Sequence, residues 1–119
     1  SLKELIKFNF GDSVRVVEAS DGMEATTKIH FQAFHCVITD LKMPRKDGEN
    51  FIEALRRNPM NETTPVILLS GFATKDIESK FHFVSVVTKP FVYNELIEII
   101  ENKLKSSQGK ERLSATVYN

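Results

Sequence analysis

The segment CVITDLKMPRKDG, residues 36–48, gives the clearest indication of the fold class. Its apolar run from Cys36 to Ile38 does not alternate with polar residues, which is typical of a parallel strand buried on both faces. The run ends abruptly at the acid Asp40, and a charged, proline-marked loop follows. In open parallel sheets ligands bind beyond the carboxyl ends of the strands. The stretch therefore predicts a buried strand that delivers a carboxylate to a binding edge.

Two further apolar strands end on polar side chains. TPVILLSG ends at Ser70, followed by Gly71, and VSVVTKP ends at Lys89, followed by Pro90. Because the carboxyl ends of parallel strands lie at the same edge of a sheet, we expect Asp40, Ser70 and Lys89 to share one rim.

Helical and strand patterns alternate along the whole chain. Strands are predicted in VRVVEA, FHCVITD, TPVILLSG and VSVVTKP. Helices are predicted over residues 2–10 and about 22–34, and in GENFIEALRRN and ATKDIESKF. A final helix is predicted where one face would carry Tyr93, Leu96, Ile97, Ile100 and Leu104. This αβαβαβαβα order predicts a single α/β domain, with helices covering both faces of a parallel sheet.

The composition restricts the partners and the compartment. Among 119 residues, 41% are hydrophobic, and 16 basic side chains balance 16 acidic ones, so nothing indicates wholesale binding to nucleic acid or anionic lipid. No apolar stretch approaches membrane-spanning length. The single cysteine, Cys36, excludes an intrachain disulfide. We expect a cytoplasmic domain with no direct nucleic-acid or membrane partner.

The three rim residues suit phosphoryl chemistry. A carboxylate such as Asp40 can act as a nucleophile or a metal ligand. Lys89 can pair with phosphoryl oxygens as a compact cation, and Ser70 can donate a hydrogen bond to them. Gly48 and Gly71 allow the backbone to approach closely. An acyl phosphate requires such a set, usually with Mg²⁺.

The segments DLKMPRKDG, LLSG and TKPF, in this order, resemble the receiver domain of two-component response regulators over about residues 2–105. The resemblance implies a flavodoxin-like, doubly wound parallel sheet of five strands. It also implies Asp40 as the phosphoacceptor, Ser70 as the switch hydroxyl and Lys89 as the phosphate-pairing lysine.

Further site features follow from the same resemblance. Met43 and Pro44 would shape the loop after the acceptor. Mg²⁺ would be held by the acceptor carboxylate and the main-chain carbonyl of Lys42. Lys89–Pro90 would be a cis peptide.

The function implied is transfer of a phosphoryl group to Asp40 from a sensor histidine kinase or a histidine phosphotransfer domain, followed by a conformational switch read by a downstream effector. Such a domain is not an enzyme beyond its own phosphorylation and dephosphorylation. Two alternatives remain: a pseudo-receiver that binds proteins independently of phosphorylation, and a small-molecule hydrolase. The sequence Asp40-Leu41-Lys42 lacks the second aspartate of D-x-D phosphatases, which disfavours the hydrolase.

The chain departs from the family at its start. Receivers begin with a strand that ends in two adjacent acids holding Mg²⁺, whereas this chain begins in the following helix. Glu4 lies within that helix and is no substitute. The acidic pair is therefore absent from the chain, and Asp40 with one carbonyl is a poor Mg²⁺ site.

Three explanations remain open for the first strand. The first is that the sequence omits the natural amino terminus, which Ser1 in place of Met favours. The second is that the tail RLSATVYN fills the central position and brings Asn119 near the metal. The third is a strand exchanged with a second chain in a homodimer, or a rearranged sheet. In the tail, Leu113, Ala115 and Val117 alternate with Ser114, Thr116 and Tyr118, which favours a half-exposed strand over a central one. The boundaries are thus a receiver domain over 1–105 and a flexible or strand-forming tail over 106–119.

A second departure affects signalling. Receivers often carry an aromatic residue three positions before the lysine, and here that position is Val86. The segment between Ser70 and Lys89 is also short, so we expect an abbreviated fourth helix.

Overall fold

The computed structural model describes residues 1–40, 45–71, 76–105 and 113–118. Within these residues the strands are Val14–Ala19 (β1), Cys36–Asp40 (β2), Val66–Ser70 (β3), Val84–Thr88 (β4) and Leu113–Tyr118 (β5). The α-helices are Leu2–Phe10 (α1), Gly22–Phe31 (α2), Arg45–Arg57 (α3), Asp76–Lys80 (α4) and Tyr93–Lys105 (α5). The four strands predicted before residue 90 are present, and α4 is short, as expected.

All five strands are parallel, in the order β1-β5-β2-β3-β4. The last strand of the chain, β5, therefore lies between β1 and β2. It pairs with β1 from Val14↔Leu113 to Ala19↔Tyr118, and with β2 from Cys36↔Ala115 to Thr39↔Tyr118. Of the three explanations, the structure has the second: the tail fills the central position.

The alternating pattern of the tail favoured a half-exposed strand over a central one, and the preference against a central position was wrong, because β5 has a paired strand on each side. Backbone pairing explains the difference. Without β5, both β1 and β2 would present rows of unpaired amide and carbonyl groups to each other. The part of the tail that the sequence predicts to be flexible, residues 106–111, lies outside the described residues.

Helices cover both faces of the sheet, as the α/β prediction required. On one face α2, α3 and α4 contribute Ile29, Ile52, Leu55 and Ile77 to a buried cluster. On the other face α1 and α5 contribute Ile6, Leu96, Ile100 and Leu104. Each such side chain stabilises the fold by about 1.5–3 kcal/mol when fully buried. Within the described residues, no helix combines the length and apolarity needed to cross a bilayer.

Helix α2 is shorter than predicted. It begins after Asp21, whose side chain accepts a hydrogen bond from the Glu24 amide at 2.8 Å, as an N-cap should. It ends at Phe31 instead of about residue 34, since the Phe34 amide leaves the helix and donates to the Asn61 side chain at 2.9 Å. A long-range contact therefore determines where this helix ends.

Asn61 joins three segments at the amino ends of the strands. Its buried side-chain amide donates to the carbonyls of Ile29 and Gln32, both at 2.9 Å. Its side-chain oxygen accepts from the Phe34 amide and from the Thr64 hydroxyl. Asn61 thus fixes the end of α2 against the segments that enter β2 and β3.

Arg56 joins α3 to the turn before β4. Its guanidinium donates to the carbonyls of Asn61, His82 and Phe83 at 2.8–3.3 Å. It also lies 5.8 Å from the centre of the Phe83 ring. Phe83 has a φ of 61°, an uncommon conformation for a side-chain-bearing residue. Partial burial lowers the pKa of Arg56.

Candidate functional site

The structure brings the ends of β2, β3 and β4 together at one rim. Asp40 is level with Leu69 at the end of β3, and Ser70 is level with Thr88 at the end of β4. The Lys89 amide continues this pairing by donating to the Ser70 carbonyl at 2.7 Å. Neighbouring strands lie about 4.8 Å apart. The backbones that carry Asp40, Ser70 and Lys89 are therefore adjacent, as the sequence predicted.

Ser70 and Lys89, the two rim residues whose side-chain exposure the structure describes, differ in exposure. Ser70 is fully buried, whereas Lys89 is half-buried. The Lys89–Pro90 peptide is cis, which confirms what the resemblance implied. Gly71 is exposed, and a Cβ added there would meet no heavy atom within 4 Å. A buried hydroxyl beside a partly exposed lysine suits a site that a small anion enters from solvent.

The loop after Asp40 is only partly comparable with the sequence predictions. Lys42, Met43 and Pro44 lie outside the described residues. Gly48 is described, and it is buried in the first turns of α3. The predicted roles of these four residues stay predictions.

The described residues do not fit a magnesium site. In this part of the chain there is no group of three or more His, Cys, Asp or Glu side chains that could hold a metal ion. The strand beside β2, where the family carries its acidic pair, is β5, and its sequence LSATVY has no carboxylate. A hard divalent cation requires several oxygen ligands, with carboxylates among them.

Cys36 has no part in the chemistry of the rim. It lies near the start of β2 and is fully buried among the apolar residues under α1 and α5. Burial raises the pKa of its thiol to about 12, so the thiol stays neutral and unreactive at physiological pH.

Sequence patterns did not indicate the contact made by Glu78. The side chain of Glu78, in α4, accepts a hydrogen bond from the Val86 amide at 2.6 Å. Val86, which occupies the position of the family's aromatic residue, is itself buried in the core. An exposed acid in a five-residue helix carries no sequence signal for a backbone partner in the strand that follows.

Comparison with known proteins agrees with this geometry. The chain matches the family model described as the response regulator receiver domain over residues 1–101. It is 31% identical over 101 residues to Hybrid signal transduction histidine kinase D of Dictyostelium discoideum, covering 82% of this chain and 6% of the relative. It is 30% identical over 106 residues to Transcriptional regulatory protein PdtaR of Mycobacterium tuberculosis, covering 82% of this chain and 50% of that protein.

A third relative is comparable in length. Protein PilG of Pseudomonas aeruginosa is 32% identical over 94 residues, which cover 76% of this chain and 70% of the relative. The chain therefore spans most of PilG, about half of PdtaR and a small part of the hybrid kinase.

Solved structures show the same fold. The receiver domain of a histidine kinase from Syntrophus aciditrophicus has a TM-score of 0.71 at 23% identity, covering 94% of this chain and 85% of that chain. The receiver domain of sensor histidine kinase PA1611 from Pseudomonas aeruginosa has a TM-score of 0.70 at 21% identity, covering 87% and 85%. That crystal structure holds a magnesium ion in its active site cleft. With its parallel sheet, its three strand ends at one rim and the match over residues 1–101, this chain belongs to the response regulator receiver domain family.

Proposed function

We propose that Asp40 accepts a phosphoryl group and that the chain acts as the receiver in a two-component signalling pathway. The observation that carries the proposal is the register at the rim, where Asp40 ends β2 beside the strand that ends at Ser70. Lys89 follows on the next strand, and its amide is bonded to Ser70. An acceptor, a hydroxyl and a cation therefore lie on three adjacent strand ends.

The transfer step balances with these groups alone. A carboxylate oxygen of Asp40 attacks phosphorus and forms the new O–P bond. The donor's P–N bond, or its P–O bond in a small acyl phosphate, breaks, and the leaving group keeps the electron pair. Lys89 offsets charge on the phosphoryl oxygens, and Ser70 donates a hydrogen bond to one of them.

The proposed donor is a sensor histidine kinase or a histidine phosphotransfer domain, and the exposed surface beside the rim supports docking of such a protein. Tyr93 begins α5 four residues after Lys89 and is 63% exposed, and Phe8 on α1 is 89% exposed. Both line a cavity of about 400 Å³, which Leu5 shares. Exposed aromatic side chains around a concave surface are typical of protein-binding sites.

The output proposed is a shift between two conformations, read by a downstream effector protein or domain. The face that would change surrounds the segments after Ser70 and Lys89, because these follow the two residues that contact the phosphoryl group. Val86 has no aromatic ring whose rotamer could change when the Ser70 hydroxyl moves. We therefore place the switch in the backbone next to Ser70. We also propose a cytoplasmic location and no catalytic turnover beyond self-phosphorylation and self-dephosphorylation.

The second candidate is a protein-interaction module that works without phosphorylation. The composition of β5 favours it, because the strand beside β2 contributes no carboxylate to the rim. A receiver fold without a metal site keeps its binding surfaces and loses most of its acceptor chemistry.

Intact-mass spectrometry after incubation with acetyl phosphate tests the proposal, with and without Mg²⁺. We expect one added phosphoryl group in the folded chain and none in Asp40→Asn. If the folded chain gains no mass under either condition, the interaction module replaces the acceptor function.

A variant of β5 separates the two candidates further. Tyr118 is level with Thr39, one position before Asp40, and Asn119 follows it in the sequence. The double substitution Tyr118→Asp and Asn119→Asp supplies an acidic pair at this edge. We expect it to create Mg²⁺ binding measurable by calorimetry and to accelerate adduct formation. Tyr118→Asn with Asn119 unchanged is the uncharged control.

A further inference from the structure

The outer edge of β4 has a defined hydrogen-bonding pattern. β4 is the last strand of the sheet. The Val66 amide donates to the Phe83 carbonyl at 2.8 Å, and the Lys89 amide donates to the Ser70 carbonyl at 2.7 Å. Because strand backbones alternate with a period of two, Ser85 and Val87 direct their amides towards β3. The amides and carbonyls of residues 84, 86 and 88 are directed away from the sheet.

Glu78 covers the centre of this edge. Its carboxylate accepts the hydrogen bond of the outward Val86 amide at 2.6 Å. Helix α4, which carries Glu78, is only five residues long. Ile77, nearly fully buried, anchors this helix to the core, and Lys80 forms an ion pair with Glu49 of α3. Among the residues that the structure describes, the side chain bonded to this outer edge is therefore Glu78, which comes from a short helix.

The opposite edge strand is protected differently. β1 carries Arg15 and Glu18 in its own sequence. The Glu18 carboxylate pairs with Lys3 at 3.2 Å, and its carbonyl accepts a hydrogen bond from Lys28. β4 has the sequence VSVVT, with no charge, and its β-branched residues favour strand pairing. Charged side chains are a common protection against edge-to-edge pairing, and β4 itself has none.

We propose that the outer edge of β4 is a homodimer interface that Glu78 keeps closed. The partner is a second copy of this chain, whose β4 adds antiparallel to the first. A two-fold axis at Val86 pairs Val86 with the same residue of the second copy, and Val84 with Thr88. The three outward residues of each strand then exchange amide–carbonyl bonds in both directions, about six in all.

A second copy fits this edge because the strand is complementary to itself. Two copies of VSVVT bring no like charges together, and the symmetric register leaves each outward amide opposite an outward carbonyl. While Glu78 holds the central amide, pairing breaks a charge-assisted hydrogen bond and buries an unpaired carboxylate, which is unfavourable. Removing the acceptor, or shortening the side chain so that it no longer reaches the Val86 amide, removes this barrier. The interface is independent of phosphoryl transfer to Asp40.

Sedimentation velocity over a concentration series tests the proposal, comparing wild type with Glu78→Ala, Glu78→Asp and Glu78→Gln. Glu78→Asp keeps the charge but shortens the reach, and Glu78→Gln keeps the acceptor without the charge. We expect Glu78→Ala and Glu78→Asp to dimerise with a dissociation constant roughly tenfold or more below that of wild type, while Glu78→Gln stays close to wild type.

Two further measurements locate the interface. Adding Thr88→Lys to Glu78→Ala places a charge at the exposed end of β4 and should restore the monomer. Circular dichroism with thermal melting verifies that each variant is folded, and Glu78→Asp preserves the test if Glu78→Ala does not fold. A folded Glu78→Ala or Glu78→Asp protein that remains monomeric like wild type overturns the proposal. So does a dimer that persists unchanged with Thr88→Lys, because it uses another surface.

Discussion

The two ends of the same sheet are built on opposite principles. At the amino ends of the strands, Asn61 and Arg56 donate to main-chain carbonyls of the chain itself. At the carboxyl ends, Asp40, Ser70 and Lys89 lie at adjacent positions where phosphoryl chemistry is proposed. Buried polar groups bonded within the chain stabilise one fold, whereas polar groups placed at a rim serve a ligand. Substitutions at the two ends should therefore separate stability from chemistry.

The largest effect is expected from Asn61→Ala. The substitution leaves the buried carbonyl of Ile29 short of one donor and the Phe34 amide without its acceptor, so we expect a loss of about 3 kcal/mol in the free energy of unfolding. Chemical denaturation measures it. Asn50→Ala, at an exposed position of α3, is the matched control. Equal stability of the two variants would contradict the structural role of Asn61.

Arg56→Ala should be next, at about 2 kcal/mol, because it removes donors to three carbonyls and the contact with the Phe83 ring. The side chain of the adjacent Arg57 is 79% exposed, and its guanidinium forms an exposed ion pair with the Glu53 carboxylate at 3.5 Å. Arg57→Ala should therefore change stability by less than about 0.5 kcal/mol. Denaturation of both variants, with acetyl phosphate labelling as a second readout, checks the comparison. Loss of labelling in a folded Arg56→Ala protein would contradict the claim that the amino ends of the strands affect stability and not phosphoryl transfer.

Lys89→Ala should affect the chemistry and not the fold. Without the cation, we expect the adduct on Asp40 to form or persist roughly tenfold less well, corresponding to about 1.4 kcal/mol of lost charge-assisted bonding. The melting temperature should stay within a few degrees of wild type. Time-resolved intact-mass spectrometry measures the adduct, with Lys105→Ala at the far end of α5 as the matched control. Wild-type adduct lifetime in Lys89→Ala would remove this lysine from the site.

The smallest effect is a pH dependence at the start of α2, which belongs to neither end's network. Hydrogen bonds from the hydroxyl and amide of Ser20 to Glu24, together with Lys28, lower the pKa of Glu24 to about 2. Because the pKa is lowered in the folded state, the ionised Glu24 stabilises the fold at pH values above its ordinary pKa of 4.5. This stabilisation is lost as the pH falls towards about 2. Denaturation between pH 5 and 2 should show a shallower decline in Glu24→Gln than in wild type. Parallel curves would contradict the assignment.

Local patterns predicted most of the elements for physical reasons that operate over a few residues. Continuous apolar runs determined β2 and β3, and the helical stripe determined α1 over residues 2–10. The end of α2 was missed, because its cause is the Asn61 side chain, 27 residues beyond Phe34 in the sequence. The bond from Val86 to Glu78 was missed for the same reason. The rim was predicted as a set because parallel strands bring their carboxyl ends to one edge.

Local sequence patterns were sufficient to predict an α/β sheet with Asp40, Ser70 and Lys89 at strand ends, since burial on two faces and turn chemistry are local properties. Which segment occupies the central position depended on strand pairing in the folded chain. The polar alternation of Leu113–Tyr118 favoured a half-exposed strand over a central one, yet β5 lies between β1 and β2. The reason is that two facing rows of backbone amides and carbonyls require a partner, and that requirement depends on strand order rather than on any side-chain pattern.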